Sequence, residues 1–530
     1  MKLRRLAKGL LACLAIGSVA GPVAVVRAAA FDLSTATIAD IQAAMNKGAL
    51  TSEKLVQLYL ARINAYDDKG PKLNTVITLN KNALEQARAL DAERKAKGPR
   101  GPLHGIVVLA KDVYDTKDMP TSGGFKPMAT SQPTRDSFVI DRLRSSGAII
   151  LGKLNQSDWY GVASQGASTL HGQVLSPYNA KKSPGGSSSG TGSAMAAWFG
   201  TVGLGSDTTG SIVIPSTLAN LVGVSATHGL ISRSGMMWSS PSQENGGPMT
   251  RSVYDAAAVL DIIAGYDPAD LATQAGIGKL PDRSYTSFIS KDGLSGARIG
   301  VLREMVRQGP VHEEGTALFD AALTDFKKAG AVIIDPALTG LDLPESQVLA
   351  DAPKYERADA INAYLAHLPA AAPIRTVDEM IAKGGTLVKP AIIEAAKIGS
   401  LDHYQPLFAA MKHQAVMRDA IVSLMDKYQL DAVILPYRTA VDDDVGLPPT
   451  GGGGGRSESR NAIASYTGLP TVIVPGGFFS SDGMPFAVQF LGRPFTEPTL
   501  IRLASGYEAA TQHRKAPAST PALGGEKFTY

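Results

Sequence analysis

The spacing of apolar residues predicts alternating helices and strands from the start of the chain. Between residues 37 and 66 apolar positions recur every three or four residues, which predicts two amphipathic helices separated near Gly48. Residues 82–97 repeat this spacing and predict a third helix. Residues 106–110 form a short run of branched apolar side chains, which predicts a buried strand ending at Lys111.

The same alternation continues through the middle of the sequence. Residues 136–146 predict a helix that leads into a strand at 148–151. A loop rich in glycine and serine at 183–190 precedes an alanine-rich helix, and residues 201–205 predict another strand. Alternating helices and apolar strands are typical of an α/β fold around a mixed or parallel sheet.

The second half of the chain adds strands and a long helical stretch. Residues 340–430 predict helices almost throughout, residues 448–456 a mobile loop, and residues 500–510 a final helix. Apolar runs predict five further strands, at 297–302, 331–334, 432–435, 470–475 and 486–491. Because the chain has no internal repeat and no linker-like break, we expect one domain over 31–530 with a helical insertion at about 340–430.

Residues 1–30 have the layout of a secretory signal. Four basic residues precede an apolar stretch at 10–26, and three alanines at 28–30 offer a cleavage site. We therefore expect export through the Sec route to the periplasm or medium, followed by cleavage. A membrane anchor is the alternative, but glycine, serine and proline interrupt a run that is short for spanning, so no stable anchor is expected.

Composition excludes several classes of function. Residues 1–30 hold five basic and no acidic residues, so the remaining chain has 47 basic and 48 acidic residues and a formal charge of −1. This balance lacks the basic surplus of nucleic-acid-binding proteins. The one cysteine, Cys13, lies in the predicted signal, which excludes a cysteine nucleophile in the exported protein. The eight histidines form no zinc motif, so we expect neither metal nor cofactor.

Lys111 is a candidate proton acceptor. A lysine at the end of an apolar strand is desolvated, and desolvation lowers its pKa toward neutrality. Holding a lysine uncharged near pH 7 costs about 4 kcal/mol, which the fold must supply. On this residue alone, a surface lysine paired with Asp112 is the competing interpretation.

Ser187 lies in the glycine- and serine-rich run at 183–197. Such a run is also typical of a flexible linker, but Pro184 and the abrupt start of an apolar helix favour a tight loop at a helix N-terminus. Residues 186–190 also match GxSxG, the nucleophile elbow of α/β-hydrolases. That elbow must follow an apolar strand, and residues 179–184 are a poor strand.

Ser211 follows a predicted strand and a turn. Successive backbone amides in the turn at 207–210 can converge on one oxygen and form an oxyanion hole. An ordinary connection from a strand to a helix would give the same pattern.

Taken together, the segments 103–112, 183–197 and 203–216, with Ser187 and Ser211 24 positions apart, resemble the amidase signature family. The similarity runs from about residue 37 to residue 512. Two segments resemble the bacterial peptide-amidase branch of the family, GSSSG at 186–190 and SIV at 211–213, the latter shortly before Pro215. The resemblance implies an α/β/α sandwich around a large, mixed, twisted sheet.

The resemblance also implies roles for individual residues. Ser211 would be the nucleophile, and Ser187, preceded by a cis peptide bond, would relay its proton to Lys111. The backbone amides of four consecutive residues would form the oxyanion hole: Thr208, Thr209, Gly210 and Ser211. The chain departs from the family pattern at Thr209, where glycine is usual, and at 213–214, where the family often has arginine.

The sequence therefore predicts an exported serine amidase acting on a small or short-peptide amide, neutral or apolar, such as a peptide C-terminal amide or an aryl amide. An esterase or carbamate hydrolase with the same triad, and a periplasmic solute-binding protein, are the alternatives. A glutaminase subunit for tRNA charging would be in the wrong compartment. Resemblance and position nominate five residues for substrate binding: Met119, Phe125, Trp159, Tyr160 and Gln165.

Overall fold

The computed structural model describes residues 30–160, 166–399, 401, 404–441, 444–445 and 461–530. The predicted signal up to residue 29, the loop predicted at 448–456 and Gln165 lie outside these residues. Within them, no helix combines the length and the apolar character that a membrane span requires.

The part of the chain that the structure describes contains fifteen strands. In chain order they are β1 (Ala30–Asp32), β2 (Val76–Leu79), β3 (Val107–Lys111), β4 (Ile149–Leu154), β5 (Ala167–Ser168), β6 (Gly172–Gln173), β7 (Val202–Asp207), β8 (Val222–Ser225), β9 (Asn245–Thr250), β10 (Arg298–Val301), β11 (Val332–Ile334), β12 (Ala432–Pro436), β13 (Thr471–Phe478), β14 (Pro485–Leu491) and β15 (Lys527–Thr529). Every strand expected from the apolar runs is present, which confirms that part of the prediction.

Eleven of these strands form one mixed sheet in the order β11-β10-β12-β14-β13-β8-β9-β7-β3-β4-β2. Its parallel pairs are β10 with β11 and β12, and β3 with β4 and β7. The other neighbouring strands pair antiparallel. Two small sheets, β1-β15 and β5-β6, lie outside it.

Among the described residues, fifteen α-helices surround the sheet. They are α1 (Ile38–Asn46), α2 (Ser52–Tyr66), α3 (Ala83–Lys97), α4 (Phe138–Ser145), α5 (Ser189–Ala196), α6 (Val213–Leu218), α7 (Val253–Ile263), α8 (Glu313–Lys328), α9 (Leu343–Leu349), α10 (Pro353–Ala366), α11 (Val377–Gly384), α12 (Pro390–Ala396), α13 (Gln405–Lys427), α14 (Ile463–Thr467) and α15 (Glu497–Thr511). Helices α9–α13 occupy the stretch where the sequence predicts an insertion. We call these five helices the insertion helices. That this stretch is an insertion into a single domain stays a prediction.

The centre of the large sheet is buried on both faces. All residues of β3, β4 and β7 are buried, and their branched side chains form part of the main hydrophobic core. Burial on both faces explains why these strands are continuous apolar runs rather than alternating patterns. The large mixed sheet with helices around it confirms the predicted α/β fold class.

Candidate active site

The candidate residues lie at one edge of the sheet, where three central strands end. β3 is parallel to both β4 and β7, so the ends at Lys111, Leu154 and Asp207 share one edge. β9 runs antiparallel to β7 and begins at this edge with Asn245. In α/β sheets, the edge at the carboxyl ends of the parallel strands is the usual place for a ligand site.

Lys111 is fully buried at this edge, so it is not a surface lysine. Its Nζ lies 2.6 Å from Ser187 Oγ and 2.8 Å from Ser206 Oγ. Burial lowers the pKa of Lys111 to about 7, against the opposing charges of Glu244 and Asp207. The neighbouring Asp112 pairs instead with Lys153, at 3.0 Å. An amine with a pKa near neutrality can take up and return a proton during a reaction at neutral pH.

Ser187 lies in the loop before α5, and the Gly186–Ser187 peptide bond is cis. The side chain is 5% exposed, and the carbonyl oxygen accepts a hydrogen bond of 3.1 Å from the Ser157 amide. Residues 174–188, all described, contain no strand. The loop therefore lacks the strand that a nucleophile elbow requires, and the GxSxG match is accidental.

Ser211 lies in the turn between β7 and α6, and the side chain of Asp207 organises this turn. Asp207 Oδ1 accepts hydrogen bonds from the amides of Gly210, at 2.6 Å, and Ser211, at 3.1 Å. Its Oδ2 accepts one from the Ile212 amide at 3.3 Å. Gly210 has φ = 100°, a left-handed conformation that favours glycine. The turn holds Ser211, which is 7% exposed, at the end of the sheet.

These contacts divide the four amides expected in an oxyanion hole into two pairs. Gly210 and Ser211 already donate to Asp207. Within the described residues, the amides of Thr208 and Thr209 have no acceptor. Among the four, these two amides are therefore open to a developing oxyanion.

Glu244 is a buried acid at the site that sequence reasoning missed. Its Oε2 accepts hydrogen bonds from Thr208 Oγ1, at 2.6 Å, and from the Ser239 amide, at 3.3 Å. Burial raises the pKa of this carboxyl to about 7, against the Thr208 hydrogen bond and the charge of Lys111. The only signal in the sequence is an acid placed just before the segment GGPMT, which does not by itself indicate a site.

A second missed residue connects the turn to the insertion helices. Gln243 Nε2 donates to the carbonyl oxygen of Thr208 at 2.9 Å. Gln243 Oε1 in turn accepts from Gln414 Nε2, in α13, at 2.8 Å. The turn that carries the oxyanion amides is therefore tied by two hydrogen bonds to a helix far away in sequence.

Four of the five residues nominated for substrate binding lie in the described part of the chain. Met119, Phe125 and Trp159 are buried, and for Tyr160 only the backbone is described.

Two of these residues contact the insertion helices. The Phe125 ring lies against Gly384 in α11, where an added Cβ would come within 2.6 Å of it. The Trp159 ring meets Tyr364, in α10, edge to face at 5.9 Å.

Gln156 follows β4 and is a further missed candidate. Its side chain is fully buried, and neither its amide nitrogen nor its oxygen has a hydrogen-bond partner within the described residues. It lies beside Gly123, and the next residue, Ser157, donates to the Ser187 carbonyl. A buried carboxamide without partners requires an explanation, and a polar ligand group is one.

A separate cavity of about 120 Å³ adjoins α10 and contains none of the five nominated residues. Its lining includes Asp115, Arg233, Tyr364 and His367. Among the described residues there is no group of three or more histidines, cysteines or acids that could hold a metal ion.

Known proteins resemble this chain over nearly its whole length. A probable amidase of Arabidopsis thaliana is 32% identical over 510 residues, covering 92% of this chain and 92% of that protein. One subunit of the glutamyl-tRNA(Gln) amidotransferase of Methylococcus capsulatus is 31% identical over 502 residues, covering 91% and 98%. The solved structure of the native peptide amidase of Stenotrophomonas maltophilia matches with a TM-score of 0.80 at 36% identity, covering 92% and 99%.

The model of the amidase family matches residues 54–501, which include all three candidate catalytic residues. Together with the sequence relatives and the fold, this match confirms the resemblance found in the sequence. The chain belongs to the amidase signature family, whose members hydrolyse amide C–N bonds.

Proposed function

We propose that this amidase cleaves neutral or apolar amides through an acyl-enzyme on Ser211, with Ser187 and Lys111 as its proton relay. The observation that carries the proposal is the fully buried Lys111 Nζ at 2.6 Å from Ser187 Oγ. Because burial lowers the pKa of Lys111 to about 7, a large fraction of this amine is neutral at neutral pH. A neutral amine can accept a proton through the Ser187 hydroxyl.

In the acylation half, Ser211 Oγ attacks the carbonyl carbon while its proton moves to Ser187 Oγ. Ser187 passes its own proton to Lys111 Nζ, so the relay gains one proton and the carbonyl oxygen becomes the oxyanion. The Thr208 and Thr209 amides would donate to that oxygen. When the C–N bond breaks, the relay returns the proton to the departing nitrogen, and an amine or ammonia leaves.

In the deacylation half, water takes the place of the amine. It attacks the acyl carbon and gives a proton to the same relay, and Ser211 recovers that proton as the carboxylic acid is released. The relay thus ends with the protonation state in which it began. No metal or cofactor enters either half.

Three observations support a neutral, partly apolar substrate. Val213 and Ile214, which follow the turn of Ser211, are apolar and offer no charge to an anionic group. Phe125 and Trp159, which resemblance and position nominate for substrate binding, are aromatic rings packed against the insertion helices. The unpartnered Gln156 carboxamide can pair with a further amide group of a peptide. The 36% identity to a peptide amidase supports a peptide C-terminal amide over other neutral amides.

We also propose that the protein is exported and that residues 1–30 are removed. The basic start, the apolar stretch and the three alanines of this segment support the proposal. Expression of the full chain followed by fractionation and intact-mass measurement tests it. We expect a periplasmic or secreted product that starts near residue 31, and a cytoplasmic product that retains Met1 would contradict it.

Labelling with a fluorophosphonate tests the nucleophile. We expect one covalent adduct on the wild-type protein, mapped to Ser211, and none on Ser211→Ala. An unlabelled wild type would favour a solute-binding protein, and an adduct on another serine would contradict the assignment.

A substrate panel tests the bond. Matched peptide amides, aryl amides, esters and carbamates are assayed for released amine or alcohol. We expect kcat/KM for a peptide C-terminal amide to exceed that of an amide with a terminal carboxylate. Faster cleavage of the carbamate than of every amide would favour the alternative hydrolase.

A further inference from the structure

Glu244 combines complete burial with an unpaired oxygen at the candidate active site. Its Oε2 accepts from Thr208 and Ser239, but within the described residues its Oε1 has no hydrogen-bond partner. An unsatisfied buried carboxylate oxygen is costly unless a nearby cation or a bound proton compensates for it. The position of Glu244 in the fold therefore requires an explanation.

Strand pairing places Glu244 next to the reacting groups. Asn245 pairs with Asp207 across the β7–β9 ladder, so Glu244 lies just beyond this pair and faces Thr208. One step back along β7 is Ser206, whose hydroxyl lies 2.8 Å from Lys111 Nζ. Lys111 ends β3 and Glu244 directly precedes β9, and these two strands flank β7, so both side chains are held at the same sheet edge without exposed surface.

We propose that Glu244 is a positioning residue: it holds the oxyanion turn through Thr208 and its charge sets how tightly Lys111 binds the relayed proton. This inference rests on the proposed function, because it takes Lys111 as the proton acceptor. Glu244 does not touch the substrate in this proposal and acts only through Thr208 and Lys111.

The charged and titratable groups around Glu244 fix the direction of the effect. Lys111 lies on β3, Asp207 ends β7, Tyr114 follows β3, and Arg357 lies on α10. Glu244 and Asp207 both favour the ammonium form of Lys111, while burial opposes it. Removing the Glu244 charge leaves burial opposed by Asp207 alone, so Lys111 loses its proton at a lower pH.

Another buried lysine at the same edge shows the contrast. Lys153, on β4, lies 3.0 Å from an oxygen of Asp112, a direct ion pair. Glu244 is instead hydrogen-bonded to the Thr208 hydroxyl, and its influence on Lys111 acts through space. The charge of Glu244 therefore helps the Lys111 amine to accept a proton, but Lys111 and Glu244 do not form a direct ion pair that would hold the proton there.

The pH dependence of Ser211 labelling by a fluorophosphonate tests the inference without requiring a known substrate. In the wild type the labelling rate should rise with pH as Lys111 becomes neutral. We call this rise the acid limb of the pH profile. Glu244→Gln should move the acid limb to lower pH by about one unit, as expected for the loss of a nearby opposite charge. Glu244→Asp, which keeps the charge, should return the limb toward its wild-type position.

Glu356→Gln is the matched control. Glu356 is also a buried acid, and it accepts hydrogen bonds from Ser240 and Ser242 in the segment before Glu244. The charges that act on Lys111 come from Glu244 and Asp207, so this control should leave the acid limb in place.

A second variant keeps the test decisive if Glu244→Gln does not fold. Thr208→Val removes the hydrogen bond that favours the carboxylate of Glu244, and it should move the limb in the same direction by less.

The outcomes separate this inference from the proposed function. An acid limb that stays in place or moves to higher pH in folded Glu244→Gln, or that moves equally in Glu356→Gln, would overturn the inference alone. For Thr208→Val, an unmoved limb would do the same. A wild-type protein that no fluorophosphonate labels at Ser211 would overturn the proposed function, and the inference with it.

Discussion

The sheet edge and the insertion helices are built on different principles. At the edge, the strands β3, β4 and β7 are buried throughout, and their ends fix Lys111 and the turn of Ser211. The insertion helices are amphipathic and leave large apolar side chains such as Val348, Phe408 and Met411 substantially exposed. The proposed chemistry therefore lies at fully buried strands, whereas the insertion helices keep part of their apolar surface exposed.

The two regions meet through buried polar contacts as well as apolar ones. Gln414 reaches the oxyanion turn through Gln243, and Tyr364 Oη donates to Asp115 Oδ1 at 2.7 Å. Each such hydrogen bond contributes about 1 kcal/mol. We therefore expect substitutions of the relay residues at the sheet edge to abolish turnover. Substitutions in the insertion helices should lower turnover by a smaller factor.

The largest effect is expected from the two serines. Ser211→Ala and Ser187→Ala should each lower kcat by about 10³-fold or more, because residues of a relay act as a unit. Circular dichroism and thermal unfolding should match the wild type. Ser189→Ala, at the start of α5, is the control and should lose less than about tenfold in kcat. Wild-type turnover in Ser187→Ala would remove that serine from the relay.

A smaller and selective effect is expected at Trp159. Its Nε1 is buried and has no hydrogen-bond partner within the described residues. Trp159→Phe keeps an aromatic ring beside Tyr364 but removes this donor. The variant should lose about fivefold in kcat/KM for peptide amides that offer an additional carbonyl, and little for simple aryl amides. An equal loss for both substrate classes would assign Trp159 to packing instead.

The link from the insertion should change turnover more than binding. Gln414→Leu removes the hydrogen bond that holds Gln243 and so loosens the support of the Thr208 carbonyl. We expect kcat to fall by about fivefold to tenfold with KM nearly unchanged. Lys412→Ala, at an exposed position of the same helix, is the control. If the two variants behave alike, the insertion does not reach the turn by this route.

The last effect concerns stability rather than turnover, through the pH dependence of unfolding at Asp115. Burial raises the pKa of Asp115 to about 7, so folding disfavours its carboxylate form. The stabilising contribution of the protonated acid is complete below the unfolded pKa of about 4 and is lost as pH rises to about 7.

Asp115→Asn should therefore be more stable than the wild type by about 1–3 kcal/mol at pH 8 and about equally stable at pH 4. Chemical denaturation at both pH values checks this. A variant that is less stable at pH 8 would show that the carboxylate is needed there.

Much of the fold could be predicted from the sequence because its central strands and helices follow simple patterns of apolar residues. β3 is a continuous apolar run, and α2 repeats its apolar face at helical spacing. β9 was not predicted as a strand because it contains two glycines and a proline. A side chain at Gly247 would clash with the Val224 carbonyl on the adjacent strand, so close packing of the sheet requires this composition.

Only part of the candidate site could be predicted from the sequence, because some of its residues act through contacts between distant segments. Lys111, Ser187 and Ser211 lie in motifs that the sequence displays. Glu244 and Gln414 act through pairing and packing between segments that are distant in sequence, and no local pattern indicates those contacts. Asp207 was visible in the motif, but its hydrogen bonds to the turn amides appear only in three dimensions.

The pH dependence of kcat/KM in the wild type and in Lys111→Ala tests the central claim most directly. Burial lowers the pKa of Lys111 to about 7, so the wild-type value should rise with pH through that region and then level off. Lys111→Ala should fold, lose about 10³-fold or more in kcat/KM, and no longer level off. The same limb near pH 7 in Lys111→Ala, at near wild-type activity, would contradict the account.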